Sequence, residues 1–191
     1  MRALVVYESM YGNTHVVASN VADGLRATHE VTLVPVAGAT ADLVAAADLL
    51  VVGGPTHMHG LPSAGSRRVA AQAAAKPGSG LSLDLAASGP GVYDLLKRLG
   101  DRPALAAAYD TRINGVPAFT GRASRIIGRL LKRHGYRLIA APESFLVGPQ
   151  STLLDGETAR ARRWGAALGV IASSLDLPVT AGPAAPAGGS V

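Results

Sequence analysis

The chain contains no cysteine, few aromatic residues and no long apolar run. Without cysteine, disulfides, thiolate zinc sites and cysteine-ligated iron–sulfur clusters are excluded, so any redox chemistry requires a bound organic cofactor. No apolar stretch approaches the roughly 20 residues that a membrane-spanning helix needs. The N-terminus enters a strand pattern at once and lacks the longer apolar stretch of a secretory signal, which predicts a cytoplasmic protein.

The apolar residues that are present suit a parallel sheet covered by helices. Hydrophobic residues make up 48% of the 191 residues, whereas aromatic residues make up only 4%. The core is therefore expected to consist of Val, Leu, Ile and Ala, as in buried parallel strands.

The net charge of +5 has two interpretations. It indicates either a solvated surface rich in arginine or attraction to anionic ligands and acidic partners. Nucleic-acid binding is not predicted, because aromatics are few and no nucleic-acid motif is present.

Strand-like and helix-like segments alternate along the chain. Strands are predicted at 3–7, 31–36, 49–53, 104–109 and 136–141, with an extension of the last through 144–147 as an alternative. Helices are predicted at 14–27, 63–75, 92–99, 122–134 and 155–175, and residues 77–88 are expected to form a loop. This alternation predicts βαβ units and a mainly parallel sheet within one domain, residues 1–176. The uncharged, Pro/Ala/Gly-rich residues 177–191 are expected to form a flexible tail.

A loop of polar residues follows the first strand and leads directly into a helix. It reads Ser9-Met10-Tyr11-Gly12-Asn13-Thr14. Free backbone N–H groups and the positive end of the helix dipole meet at such a position, so the loop can hold a phosphate without a cation. The Gly-Lys-Ser/Thr of a Walker loop and the G-x-G-x-x-G dinucleotide fingerprint are both missing. A capped turn without a ligand is the alternative interpretation.

This loop resembles the Ser/Thr-x-Thr/Tyr-Gly-x-Thr segment of the flavodoxin family. The resemblance implies a doubly wound, five-stranded, mainly parallel sheet with strand order 2-1-3-4-5 and helices on both faces. It also implies bound flavin mononucleotide (FMN), with the phosphate held by Ser9, Tyr11, Asn13, Thr14 and the backbone of Met10, Gly12 and His15. Right-handed crossovers place the loops that follow the strands along one edge of the sheet, where such a ligand binds.

The third strand ends in a second segment that is similar to a flavodoxin loop. Flavodoxin-like proteins carry a Gly-x-Pro-Thr-type segment here that lines the isoalloxazine ring, and glycine allows a planar ring to approach the backbone. By resemblance, the contacts are Pro55, Thr56, His57, Met58, His59 and Gly60. The His57-x-His59 pair leaves open a metal site, although no carboxylate or cysteine is close in sequence, or surface histidines without a role.

The fourth strand is expected to end in Tyr109-Asp110-Thr111-Arg112. By resemblance, this segment packs on the other side of the flavin. Tyr109 stacks on the ring or belongs to the core, and Asp110 accepts a hydrogen bond from the ring or from a neighbouring loop. Arg112 lies near the pyrimidine side of the flavin or in a surface ion pair.

Two departures from the flavodoxin pattern affect the expected chemistry. The only tryptophan, Trp164, is placed on the last helix in a buried stripe with Leu168, Ile171 and Leu175, so no tryptophan flanks the ring. Acidic flavodoxins have low potentials, so the basic net charge predicts a less negative flavin potential, with Arg112 as one contributor.

The resemblance implies an FMN protein that transfers electrons to a redox partner protein, which the basic surface suggests is acidic, or to a small quinone-like oxidant. A small FMN-dependent quinone reductase and a protoporphyrinogen oxidase-like oxidoreductase are alternatives. A flavodoxin-fold interaction module that has lost FMN is a third. No residue is predicted to act as a catalytic acid or base.

Overall fold

The computed structural model describes residues 1–176, which form one sheet with helices on both faces. The strands are β1 (Arg2–Tyr7), β2 (Glu30–Pro35), β3 (Leu49–Pro55), β4 (Leu105–Ile113), β5 (Arg137–Leu138) and β6 (Glu143–Val147). Their order is β2-β1-β3-β4-β5, and all of the pairings are parallel. Strand β6 also pairs with β4. Strands β5 and β6 therefore share the fifth position, and the predicted order 2-1-3-4-5 is confirmed.

Seven helices connect or flank the strands within the described residues. They are α1 (Asn13–Leu25), α2 (Ala41–Ala46), α3 (Ala64–Ala74), α4 (Val92–Arg98), α5 (Pro117–Thr120), α6 (Ala123–Arg133) and α7 (Glu157–Asp176). Two apolar cores lie on opposite faces of the sheet, one beneath α1 and α7 and the other beneath α2, α4 and α6. Side chains alternate along a strand, so the buried strands supply both cores.

Glycines bring α1 and α7 into close contact. A Cβ atom at Gly24 would lie 2.1 Å from the carbonyl oxygen of Arg162, and one at Gly165 would lie 2.2 Å from that of Val21. These two helices pack backbone to backbone over the first core, which fixes the start of α1 relative to the sheet.

The structure corrects three expectations about elements. Strand β4 continues through Ile113, so the segment from Tyr109 to Arg112 belongs to the strand and not to a loop after it. The predicted fifth strand is interrupted between Leu138 and Glu143. On α7, Ile171 is 37% and Leu175 39% exposed.

The last correction has a packing cause. The buried positions of α7 include Ala161, Gly165 and Ala172, because the close approach of α1 favours small residues. The predicted tail, 177–191, lies outside the described residues. No helix within residues 1–176 has both the length and the apolar character of a membrane span.

Candidate functional site

A cavity of about 370 Å³ opens where β1, β3 and β4 end. Its walls come from the loop after β1, the loop after β3, the last residues of β4 with the segment that follows, and the loop after β6. The lining residues are Met10, Tyr11, Asn13, Thr14, Pro55, Thr56, His57, Met58, His59, Thr111, Arg112, Ile113, Phe119, Thr120, Val147 and Ser151. The carboxyl ends of parallel strands meet at one edge, and ligands of open α/β sheets bind there.

The loop after β1 is held in shape by its own residues. The Ser9 hydroxyl is fully buried and accepts a hydrogen bond of 3.1 Å from the Gly12 backbone N–H. Gly12 has φ of 87° and immediately precedes α1. Glycine adopts this left-handed conformation at little cost, which allows the chain to turn sharply into the helix.

Backbone N–H groups at this turn are available to a ligand. Within the described residues, the N–H groups of Tyr11, Asn13, Thr14 and His15 have no hydrogen-bond acceptor, whereas the N–H of Val16 donates to the Gly12 carbonyl. The first turn of α1 contains no acidic side chain. Such a helix N-terminus favours an anion through its free donors and its dipole.

The polar side chains of the loop mostly bind neighbouring elements. The Tyr11 hydroxyl donates to the Ala70 carbonyl on α3 at 2.8 Å, and the Asn13 amide donates to the Ser151 carbonyl at 2.6 Å. The hydroxyls of Thr14 and Thr111 are 2.7 Å apart. One hydroxyl proton of that pair and one amide proton of Asn13 remain for a ligand, so donors are still present at the cavity wall.

Glu8 is a buried carboxylate directly before the loop that follows β1. Its burial was not predicted from the sequence. It is 4% exposed, and its Oε2 accepts from the Val92 N–H at 2.8 Å at the start of α4. Burial raises the pKa of Glu8, although the Val92 bond and the charge of Arg67 oppose the shift. Glu8 therefore links the end of β1 to the start of α4.

The loop after β3 contains a tight turn between His57 and Gly60. The N–H of His57 donates to the Gly60 carbonyl at 2.8 Å, and the N–H of Gly60 donates back at 2.9 Å. Both central residues have positive φ, 44° at Met58 and 75° at His59. Residues other than glycine rarely adopt positive φ, so the backbone of this turn is strained. Contacts from other segments must therefore stabilise it.

That support comes from the segment between β4 and α6. The Thr56 hydroxyl accepts from the Ala123 N–H at 2.9 Å and so caps α6. His59 pairs with Gly121, where a Cβ atom would lie 2.2 Å from the His59 Cα. The backbones of the two segments are therefore in direct contact, and together they form one wall of the cavity.

Arg112 links this wall to the segment that follows β4. Its guanidinium donates to the carbonyls of Ile113 and Gly115 and to the Thr120 hydroxyl, at 3.1, 2.9 and 3.0 Å. Its Nε is buried without a partner among the described residues. Among the described residues, no carboxylate forms an ion pair with Arg112, so its positive charge at the cavity is not neutralised by a side chain.

The two histidines of the loop after β3 differ in environment. The His57 Nδ1 lies 3.4 Å from the Ser66 hydroxyl, and burial together with the charge of Arg67 lowers the pKa of His57. No three His, Cys, Asp or Glu side chains come together in a metal-binding arrangement within residues 1–176. His57 and His59 both line the cavity.

Two of the predicted ring contacts lie in the core and not at the cavity. Tyr109 is fully buried, with ring centroids 6.1 Å from Phe145 and 6.0 Å from Trp164. Gly53 lies against its ring, since a Cβ atom there would be 1.9 Å away. Pairing of β3 with β4 places Tyr109 beside Gly53, so the ring fills the space that glycine leaves.

Asp110 is also fully buried. Its Oδ2 accepts from the Ser124 N–H at 2.7 Å, so it supports the start of α6. Burial raises the pKa of Asp110, and hydrogen bonds from Ser124 and Ser144 oppose the shift. Of the remaining predicted residues, Ser9, Gly12, His15 and Gly60 lie outside the cavity lining, and the others line it.

Sequence reasoning missed the wall that follows β6 and the apolar rim. Val147 lines the cavity from the end of β6 and Ser151 from the loop before α7, whereas Ile113 lines it from the end of β4, and Phe119 and Thr120 line it from the segment after β4. The residues near the end of β6 were missed because the fifth strand is split in two. Those near the end of β4 were missed because β4 was expected to end four residues earlier. The rule that all parallel strands end at one edge would have indicated the loop after β6.

The residues present fit FMN. Unpaired N–H groups and hydroxyls face the cavity at the start of α1, and Arg112 is the one cationic residue of its lining among the described residues. That lining contains no carboxylate, which suits a phosphate dianion. The volume lies within the range of small-molecule and cofactor sites, and the wall opposite the first loop is largely apolar or aromatic, as a planar ring requires.

Comparison with known proteins agrees with this architecture. A sequence model of the family described as Flavodoxin matches residues 5–94. No curated protein matches the chain in sequence. A flavodoxin from the domain Archaea has a TM-score of 0.63 at 16% identity and covers 91% of this chain and 99% of its own.

Two further solved structures show the same arrangement. Oxidised Flavodoxin 1 from Bacillus cereus has a TM-score of 0.60 at 17% identity, covering 93% of this chain and 100% of its own. A flavodoxin, WrbA-like protein from Agrobacterium tumefaciens has a TM-score of 0.52 at 25% identity, covering 91% and 98%. The family match over residues 5–94 and the strand order of the described residues show that the chain has a flavodoxin-like fold.

Proposed function

We propose that the chain binds FMN and transfers electrons through it. The observation that carries this proposal is the cradle at the start of α1, where, among residues 1–176, backbone N–H groups lack acceptors and no carboxylate lines the adjoining cavity. Its support is the fit of that cradle to a phosphate dianion and the likeness of the chain to flavodoxins. The bound flavin supplies the electron-transfer chemistry.

The protein's residues bind and orient the cofactor. The backbone N–H groups of Tyr11, Asn13, Thr14 and His15, with the side chains of Asn13 and Thr14, would hold the phosphate. The turn from His57 to Gly60 would line one face of the ring, and Thr111 and Arg112, at the end of the neighbouring strand, would line the adjoining wall. Arg112 would place a positive charge near the ring and favour its reduced, more negative state. Tyr109 and Asp110, which the resemblance implied as contacts, would act from the core by supporting β4 and α6.

A small FMN-dependent oxidoreductase acting on a quinone-like oxidant is the second candidate. It is favoured by the exposed apolar rim of the cavity, where Met58 is 85%, Phe119 77% and Ile113 56% exposed. Exposed apolar side chains around a cavity suit a flat apolar substrate. Turnover of a quinone with NAD(P)H by the loaded protein alone would support this candidate, and a requirement for a separate reductase would support the carrier.

The partner and the location belong to the same proposal. The carrier would exchange electrons with an acidic redox protein, because the chain has a net charge of +5. The proposed site of action is the cytoplasm.

The proposal is tested by comparing FMN with riboflavin, which lacks the phosphate. Flavin-free protein is titrated with each flavin, and binding is monitored by quenching of flavin fluorescence. FMN should bind about 100-fold or more tightly than riboflavin. Gly12→Asp places a carboxylate at the cradle and should remove that preference, with little effect on riboflavin.

Gly78→Asp is the matched control. Gly12 and Gly78 have φ of 87° and 74°, and a Cβ atom at either would meet nothing within 4 Å. The two substitutions therefore introduce the same charge and similar strain, but only Gly12 adjoins the cradle. Equal binding of FMN and riboflavin by the wild-type chain would contradict the proposal.

A further inference from the structure

The exposed face of α6 is a basic surface beside the cavity. Residues 111–142 contain seven Arg or Lys and no Asp or Glu. Four of these residues, Arg125, Arg129, Lys132 and Arg133, are exposed on α6. Their spacing of four, three and one residues places them on one side of the helix, and we call them the α6 basic stripe.

The α6 basic stripe carries uncompensated charge. No ion pair of its four residues occurs among residues 1–176, whereas Arg26, Arg67 and Arg160 pair with carboxylates there. Like charges at i,i+4 spacing weaken an isolated helix, so the stripe has a cost for stability. The cations of the last turn offset only part of it through the helix dipole.

The stripe begins at the wall of the cavity. Helix α6 starts at the Ala123 N–H that Thr56 caps, and a Cβ atom at Gly60 would lie 3.2 Å from Ile126. From Arg125 to Arg133 the stripe extends about 12 Å along the helix, at the usual rise per residue. Exposed Met58 and Phe119 lie at the cavity, next to the first turn of α6.

An apolar centre with a charged edge is the composition of a protein–protein interface. The centre supplies desolvated contact area, and the edge steers a partner of opposite charge and sets its orientation. A nucleic acid would use the charges but would leave Met58 and Phe119 without complementary contacts. A second copy of the chain would bring an equally basic surface to the stripe.

We propose that the α6 basic stripe, with Met58 and Phe119, is the docking surface for an acidic redox protein. This inference rests on the proposed function, because docking there matters only if electrons pass between the flavin and the partner at the cavity. The partner's acidic face covers Arg125, Arg129, Lys132 and Arg133, and its cofactor side faces Met58 and Phe119. Association is fast at low ionic strength and slows as salt screens the charges.

Stopped-flow electron transfer with the FMN-loaded full chain tests the inference. The probe is reduced plant-type ferredoxin, an acidic protein, and the readout is the second-order rate constant of flavin reduction at low and high salt. Arg125→Glu with Arg129→Glu should lower the low-salt rate constant about tenfold or more and reverse its salt dependence. The rate constant at high salt should change much less.

Arg162→Glu with Arg163→Glu is the matched control on α7. Both residues are exposed, and no ion pair of either occurs within the described residues. This control makes the same change in net charge and should alter the rate constant by about twofold or less. Equal effects of the two double variants would overturn the inference, because net charge alone would then explain the rates.

Direct binding separates this inference from the proposed function. Association of flavin-free chain with immobilised ferredoxin should be lost in the α6 double variant and kept in the α7 double variant, whether or not FMN binds. If the chain does not bind FMN, but only the α6 double variant loses ferredoxin binding, the proposed function is rejected and the docking surface is retained. Two results would overturn the docking surface: stripe-dependent binding of a DNA duplex without ferredoxin binding, or a dimer that the α6 variant dissociates.

Discussion

The two ends of the cavity are built in different ways. The loop from Ser9 to Thr14 is shaped locally, since the Ser9 hydroxyl accepts from Gly12 three residues later and α1 follows at once. The opposite wall depends on contacts between distant residues, such as Thr56 with Ala123 and His59 with Gly121. A locally determined loop can be recognised from its sequence, whereas a wall made from two segments exists only once the sheet has brought them together.

Gly121→Ala should produce the largest effect and would break the distant wall. Gly121 has φ of 76°, and a Cβ atom there would lie 2.2 Å from the His59 Cα. Strain and overlap with backbone together should lower the free energy of unfolding by more than about 2 kcal/mol. Urea unfolding of the flavin-free chain measures this change, and FMN titration should show weaker binding.

Gly12→Ala is the control at the local end of the cavity. Gly12 also has positive φ, 87°, but nothing lies within 4 Å of the position of its Cβ atom. Only the left-handed strain remains, and the free energy of unfolding should fall by about 1 kcal/mol. Similar losses for the two variants would show that contact between the two segments contributes nothing to the wall.

Thr56→Val should have a smaller effect and tests the cap that joins the two segments. Valine keeps the shape of threonine but cannot accept the Ala123 N–H, so unfolding should become easier by about 1 kcal/mol. Thr40→Val removes a comparable cap, the 3.2 Å bond from the Leu43 N–H on α2. Both variants should lose similar stability, but only Thr56→Val should weaken FMN binding. Equal FMN affinity in the two variants would show that the Thr56 cap does not contribute to FMN binding.

Arg112→Gln should change the flavin rather than the stability of the fold. Removing the positive charge from the wall should make the reduction potential of bound FMN more negative, because the reduced flavin carries more negative charge. Redox titration at constant pH measures the shift, and Arg122→Gln, at the start of α6 and outside the cavity lining, provides a comparison. An unchanged potential in Arg112→Gln would show that the wall exerts no electrostatic control.

Glu8→Gln should show the smallest effect, and one that depends on pH. Burial raises the pKa of Glu8 above its ordinary value of 4.5, so the native state binds its proton more readily than the unfolded chain. The contribution of Glu8 to stability is therefore present below the unfolded pKa and is lost as pH rises through the folded value. The melting temperature of Glu8→Gln, measured relative to that of the wild type, should increase as pH rises from about 4.5 to 8. A difference that stays constant across this range would contradict the raised pKa.

Much of the fold could be predicted because strands and helices alternate with clear periodicity. Helix α1, strands β1 to β3, the start of α3 and the end of α6 lie close to their predicted positions. Helix α2 was missed because its six residues are too few to show a period. The buried side of α7 was partly wrong, because the close approach of α1 at Gly24 and Gly165 was not visible in either helix alone.

By itself, the sequence determined the alternation of strands and helices, the polar loop before α1 and the absence of thiol chemistry, because each depends on local pattern or composition. The tertiary structure decided that Tyr109 lies in the core beside Gly53 and that Ser151 reaches Asn13. It also decided that the basic residues of α6 lie beside the cavity. These features depend on residues far apart in the chain, and pairing of β3 with β4 and of β4 with β6 is what brings them together.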